Sequence, residues 1–362
     1  MQTLHQFSNT DDLIIEVREA RGTTVKNKQI EEHLAALPIK SLKDTLSLSE
    51  VTSHDQGSTL LSFRNQLSLH ANHRASDVVI TTLQTLLNTV WKACSAASEP
   101  AADPEIVRRL RVTSRRALVA LSIYSPLLPK TLTRFFRQHL RDLRQAAGVT
   151  RDYDVLSDRL YQHLPPTSHT DDLFVHQLLQ LVAKQQNENR KSICSMHSEL
   201  SSWNWPLRVA TVKNQVRPKK MVYLKFMQNQ IKGSCTRFSK VANSTKKNPS
   251  QLHRLRIAGK KLRYALEFTP LEYMDCSLRE SRKTLQKMQN KLGDFTDHTA
   301  ASEILKQFSK EPLSDDMLFV IHKMQREEHE LATLSCRQFF GWWTGKRRRS
   351  MYKRLEKALD NG

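Results

Sequence analysis

A chain of 362 residues is long enough for one large domain or two smaller ones, and either can bury a proper core. It holds only 9 glycines, while Leu, Gln, Lys and Arg are common, a composition that favours helices over sheets. The formal net charge of +21 does not help folding, because the charges repel one another; it points to a polyanionic partner, whether nucleic acid, an anionic membrane or a phosphate polymer. The five cysteines, Cys94, Cys194, Cys235, Cys276 and Cys336, are far apart and form no CxxC pair. They read as reduced thiols of a cytosolic protein in preference to a disulfide frame or a zinc site. The start, MQTLHQFSNTDDLIIEV, has neither the basic n-region nor the apolar h-region of a secretory signal. No apolar run approaches the ~18 residues of a membrane-spanning helix.

Residues 1–68 hold seven Lys/Arg and nine Asp/Glu, a net of −2, so the remainder of the chain carries +23. This leader is rich in Ser, Thr and Asp and weakly periodic. It reads as a loosely ordered extension with one short helix around Gln29 to Ala36. From Ser76 the pattern is helical nearly throughout, with segments expected at 76–96, 104–124, 130–147, 151–163, 171–201, 218–242, 250–268, 276–292, 296–309 and 315–340. Asp103-Pro104 opens one helix in N-cap and N1 style, and Pro126 and Pro129 end it. Gly148 and Gly293 stand where C-caps are expected. Pro165-Pro166 closes the first half, and Trp203 to Pro218 and Ser244 to Ser250 read as loops. The expected organisation is an extension, 1–68, then one domain, 69–355, in halves of about 69–165 and 171–355.

Two stretches in these halves look alike. Shifted by 145, EIVRRLRVTSRRALVALSI, from Glu105, falls on the stretch containing QLHRLRIAGKKLRYALEF, from Gln251. Arg111 then meets Arg256, Val112 meets Ile257, and Arg115-Arg116 meet Lys260-Lys261. The register continues with Arg134 on Arg279, Arg137 on Arg282, Leu140 on Leu285, Gly148 on Gly293 and Asp152 on Asp297. One offset without gaps from Arg111 to Asp152 signals a duplication.

On a helical wheel Leu255, Ala258, Gly259, Leu262 and Leu266 share one side, an ordinary core face. Ile257 and Tyr264 form a second apolar seam roughly opposite. His253, Arg256, Lys260 and Arg263 fill the arc between, at i, i+3, i+7 and i+10. The first half has Arg108, Arg111 and Arg115 in that arc, and Leu118 where Arg263 stands. The next helix adds Arg134, Arg137, Arg141 and Arg144, matched in the second half by Arg279 and Arg282. A charged helix face is usually just solvated surface. Four rows at two repeated positions with few interleaved acids argue instead for a rigid cationic surface, because solvated faces normally mix signs.

The pattern H-x-x-R-[VI]-x-x-[RK]-[RK]-L-R, followed by a helix ending L-G-x-x-x-D, resembles the CHAD domain, the conserved histidine α-helical domain. HRLRIAGKKLRYALEF and LQKMQNKLGDFTDH carry the resemblance in the second half; RRLRVTSRRALVAL and LRDLRQAAGVTRDYDVL carry it in the first. It covers about residues 69 to 355. It implies an all-α fold of two four-helix bundles related by a pseudo-twofold axis, with a basic central groove that binds inorganic polyphosphate. Carried onto this chain, the implied binding residues are Arg108, Arg111, Arg115, Arg116, Arg137 and Arg141 in the first half, and His253, Arg256, Lys260, Lys261, Arg263 and Arg282 in the second. Family members are thought to act as polyphosphate-binding modules, some located at polyphosphate granules. Others are fused to a CYTH triphosphatase domain, but EVREAR, Glu16 to Arg21, does not match that domain's E-x-E-x-K motif. The histidine that names the family is absent from the first half, where Arg108 stands.

The remaining chemistry is sparse. His253 reads as a phosphate donor among cations or as a satisfied structural residue. Asp152 and Asp297 read as caps or as partners of an arginine, in preference to an acid/base pair. Lys346-Arg347-Arg348-Arg349 reads as a solvated helix end or a nucleic-acid or targeting patch. No Walker A loop, H-E-x-x-H or nucleophile elbow is present, so no catalytic residue, metal site or cofactor is expected. The expected protein is a non-catalytic, cytoplasmic polyphosphate binder. The alternative, a single-strand nucleic-acid binder, calls for exposed stacking aromatics, and Tyr264, Phe135 and Phe136 are expected to face inward.

Overall fold

The computed structural model describes residues 71–99, 102–163, 171–244, 248–270 and 273–360. The leader with its expected helix, and Pro165-Pro166, lie outside the described residues. In chain order the helices are α1 (Ala75–Ala97), α2 (Pro104–Ile123), α3 (Lys130–His163), α4 (Asp171–Ser202), α5 (Trp205–Ala210), α6 (Val212–Gln215), α7 (Tyr223–Ser244), α8 (Pro249–Glu267), α9 (Cys276–Phe308), α10 (Asp315–Trp342) and α11 (Gly345–Asp360). Among the described residues the β-type pairing is one isolated antiparallel bridge, Arg74 with Val222. The fold is all-α.

Local chemistry accounts for the helix starts. Asp103 and Asn248 accept from the backbone N–H two residues on, at 2.6 and 2.9 Å, and each precedes a proline at the first helical position. Asp275 and Ser314 cap α9 and α10 through the N–H three residues on. These starts repeat at the 145 offset. Shifted α2 spans 249–268 against an observed Pro249–Glu267, and shifted α3 spans 275–308 against Cys276–Phe308.

Three expectations about element boundaries are corrected. Gly148 and Gly293 do not end helices: α3 and α9 run straight through them. A mid-helix glycine costs about 1 kcal/mol in propensity, and burial on both sides of each outweighs it. Leu143 and Ala147 precede Gly148 and Leu156 and Leu160 follow it, while Met288 and Leu292 precede Gly293 and Phe295 and Ala301 follow. The stretch from Trp203 to Pro218 is not simply loop. It holds α5 and α6, anchored by Trp205, which is fully buried and donates its indole N–H to the Leu87 carbonyl at 3.1 Å.

Within each half, neighbours in sequence pack: α1 to α4 in turn, and α7 to α10 in turn, with α11 folding back onto α9 and α7. Between halves the main contacts pair each helix with its own counterpart: α1 with α7, α2 with α8, α3 with α9, α4 with α10. One apolar core runs through both halves. A second is built from the far ends of two hairpins, joining Tyr153, Leu156 and Leu160 of α3 and Leu178 and Val182 of α4 to Leu305 of α9 and Ile321 of α10.

Buried polar ties lock the halves together. The Tyr124 and Tyr223 hydroxyls are 2.8 Å apart, and Tyr223 donates to the Phe268 carbonyl at 2.9 Å. Arg159 of α3 meets Glu328 of α10 at 2.5 Å, and His298 Nδ1 of α9 lies 2.7 Å from the same carboxylate. On α8 one face is core as expected, with Leu255, Leu262 and Leu266 fully buried. A Cβ added to Gly259 would come within 2.0 Å of Met288 Cε, so the missing side chain lets α8 approach α9 closely. The second seam is half formed: Tyr264 is buried, but Ile257 is 41% exposed. Among the described residues no helix is long and apolar enough to cross a membrane.

Candidate functional site

Where α2 and α8 meet, flanked by α3 and α9, the two repeated basic rows merge. Arg111 and Arg115 come from α2, Arg144 from α3, and His253, Arg256 and Lys260 from α8. The five cations act on one another or on His253, so the six form one cluster. Two carboxylates stand beside it, Asp152 of α3 and Asp297 of α9, which are counterparts under the repeat. Asp152 Oδ1 lies 3.6 Å from Arg111 Nη1. Asp152 therefore partners an arginine, as one sequence reading had it.

The cations outnumber their counterions. Arg115, Arg144, Arg256 and Lys260 make no ion pair with any described carboxylate. Arg256 Nε is buried without a hydrogen-bond partner. Burial pushes the Lys260 ammonium well below its usual range, and Arg115, Arg256 and Arg111 push it the same way, against a partial pull from Asp297. Burial likewise lowers Arg111, Arg144 and Arg256, though guanidinium groups stay charged. Burial raises the Asp152 carboxyl, and Arg111 opposes that shift. Burial, then Arg256, Lys260 and Arg144, lower the His253 imidazole, so it is neutral at neutral pH. Cations stripped of water and held against one another have unfavourable self-energy. An anion in their midst would supply both the missing charge and the missing acceptors. Arginine forks suit paired oxyanion oxygens, and lysine adds a point charge.

Not every expected site residue joins this cluster. Arg116 and Arg263 both turn to Glu267, whose side chain has no exposure, at 3.0 and 2.8 Å. Arg263 also donates to Gln289 and lies over the Tyr264 ring at 4.3 Å. Both answer the charge of that buried carboxylate. The Arg263-x-x-x-Glu267 spacing was a visible signal of that pairing. Arg282 sits near the same carboxylate, which counters the effect of its burial. Arg108 is engaged by Glu105 one turn earlier. Arg141 lies beside Arg144 at the cluster's edge. Arg137 and Lys261 are not among the charges that act most strongly on it. Arg144, which the sequence showed only as the end of a row, is a full member.

Stacking platforms are not evident here: Tyr264 and Phe136 are 2% exposed, and Phe135 is partly buried. Among the described residues no group of His, Cys, Asp and Glu is arranged to hold a metal. Among the described residues no disulfide joins any two cysteines, and burial pushes the Cys94 and Cys235 thiols up to about 12.

Comparison with known proteins agrees with the geometry. The CHAD domain family model matches residues 72–306. A crystal structure of the CHAD domain from the plant Ricinus communis superposes with a TM-score of 0.56 at 21% identity, covering 82% of this chain and 94% of that one. PptA from Streptomyces chartreusis gives a TM-score of 0.53 at 16% identity, covering 74% and 99%. No curated protein matches the sequence. With one family model spanning well over half of its length, and with both repeated basic helices inside that span, the chain belongs to the CHAD domain family.

Proposed function

We propose that the protein binds inorganic polyphosphate through the cluster of Arg111, Arg115, Arg144, His253, Arg256 and Lys260, and that it does so without catalysis. The observation that carries this reading is the surplus of desolvated, unpaired cations drawn from equivalent places in both halves. Polyphosphate offers a closely spaced run of oxyanions and nothing else to read. Charge neutralisation with counterion release then supplies most of the affinity. A nucleic-acid strand offers wider-spaced charge, and the cluster gives its bases no platform. The activity requires no metal or cofactor, and granules, where the polymer is concentrated, are where a cytoplasmic module of this kind would be found.

The test is a competition titration at physiological salt between polyphosphate of defined length and single-stranded RNA of equal total charge. Polyphosphate is expected to win. With the five Arg and Lys charges of the cluster neutralised, log K falls with log salt at a slope of about −3.5. Arg256→Gln with Lys260→Gln flattens that slope by about 1.4. An RNA victory, or a double variant that binds like the parent, overturns the proposal. The purified chain is also expected to leave polyphosphate and nucleoside triphosphates intact with or without divalent metal; turnover abolished by a point mutation in this chain refutes the non-catalytic reading.

A further inference from the structure

A second cationic concavity lies away from the α2–α8 cluster, where α11 folds back onto the first half of α9. It is a cavity of about 570 Å³. Lys283 and Lys287 line it from α9, and Lys346, Arg347 and Arg354 from α11, with hydroxyls from Thr284, Thr344 and Ser350. A shallower basin of about 430 Å³ continues along α11 past Arg349, Lys353 and Lys357. The one carboxylate in the cavity wall, Glu280, is exposed and pairs with Lys283 at 2.9 Å.

Two features point to an anion here, and a third argues against a membrane. Arg354 Nε is buried with no hydrogen-bond partner, while its other nitrogens reach Ser350 and Thr284 at 3.1 and 3.3 Å. The guanidinium is thus held in place with a donor unused. The first turn of α11 carries basic residues and no acidic one. Cations there oppose the positive end of the helix dipole, an arrangement that an anion at the same end relieves. Finally, the apolar face of α11 is spent on the fold, with Met351, Leu355, Ala358 and Leu359 buried, so its basic face is not the polar side of a membrane-inserting helix.

The aromatic lining narrows the ligand class. Trp342 borders the cavity, but Arg347 covers its ring at 4.5 Å and Trp343 stacks against it at 5.6 Å. With these neighbours in place a nucleobase finds no open face, so recognition rests on charge and hydroxyl donors. We infer that this cavity is a second site for a short run of linked phosphates, separate from the α2–α8 cluster and independent of that cluster's ligand. Such a ligand is either a free oligophosphate or a segment of a longer chain.

The experiment is calorimetric titration of the full chain with tripolyphosphate, using Lys287→Gln/Arg354→Gln as the cavity variant and Arg256→Gln/Lys260→Gln as the control. The cavity variant is expected to weaken one equivalent of tripolyphosphate binding about ten-fold or more, and the control to keep that equivalent. Lys283→Gln/Lys287→Gln, two exposed positions, repeats the test without touching the half-buried Arg354. If both cavity variants stay folded and bind like the parent, or if RNA of equal charge displaces the ligand from this equivalent, the proposal fails. Repeating the titration with long polyphosphate distinguishes the sources. Weaker long-chain binding in the cavity variant identifies a chain segment as occupant, and unchanged long-chain binding with loss of the tripolyphosphate equivalent identifies a free oligophosphate.

Discussion

Replacing Lys260 by methionine should make the protein more stable and a worse binder at the same time. The side chain keeps its length and loses its charge. In the free protein that charge is desolvated, pressed by Arg115, Arg256 and Arg111, and only partly offset by Asp297. Exchanging a partly buried, poorly compensated charge for an apolar group of similar volume stabilises by about 1–2 kcal/mol. At roughly 2–4 °C per kcal/mol for a domain of this size, a thermal melt without ligand should shift upward by several degrees. Binding should move the other way. Loss of one charged donor costs about ten-fold or more in affinity, and the salt slope flattens by about 0.7. Added polyphosphate should therefore raise the parent's melting temperature more than the variant's, since ligand stabilisation follows the ratio of concentration to Kd. The assay is a melt with and without polyphosphate, beside titrations at several salt concentrations. A structural lysine would lower stability when replaced. A variant that melts earlier, or one that binds as tightly as the parent, refutes the account of this cluster.

Glu267→Gln should behave in the opposite sense, because it leaves Arg116 and Arg263 buried without their common carboxylate; a loss of about 3–5 kcal/mol is expected in chemical denaturation. Affinity for polyphosphate should rise as pH falls through the acidic range. The reason is that His253, neutral in the free protein because burial and neighbouring cations lower its pKa, gains a proton when an anion arrives. His253→Gln should remove that rise, and a pH profile unchanged by the substitution would count against His253 as a ligand contact. Gly148→Ala and Gly293→Ala should each stabilise by about 0.5–1 kcal/mol, since both sit mid-helix and an added Cβ meets nothing within 4 Å. A lower melting temperature for either would show a constraint on the backbone that the packing does not reveal.

What the sequence determined by itself was local or periodic. Proline after a capping Asp marked the start of α2, and the apolar spacing of Leu255, Leu262 and Leu266 marked a core face, while Asn248-Pro249, read as loop, proved to be the start of α8. The 145 offset, set by comparing one stretch with another, anticipated how the helix boundaries recur. The tertiary structure decided what depends on distant neighbours. Whether a glycine stops a helix depends on what packs against the turns beyond it, so Gly148 and Gly293 were misread as ends. Whether an arginine is a free cation depends on a carboxylate that can lie anywhere in the chain. Arg115 and Arg116 are adjacent in sequence and equally basic, yet a 100° turn of the helix leaves one among unpaired cations and aims the other at Glu267, 151 residues away. Likewise Lys287 and Arg354 share a cavity only because α11 returns to α9. Charge was visible in the residues; its balance was not, because counterions are supplied by the fold.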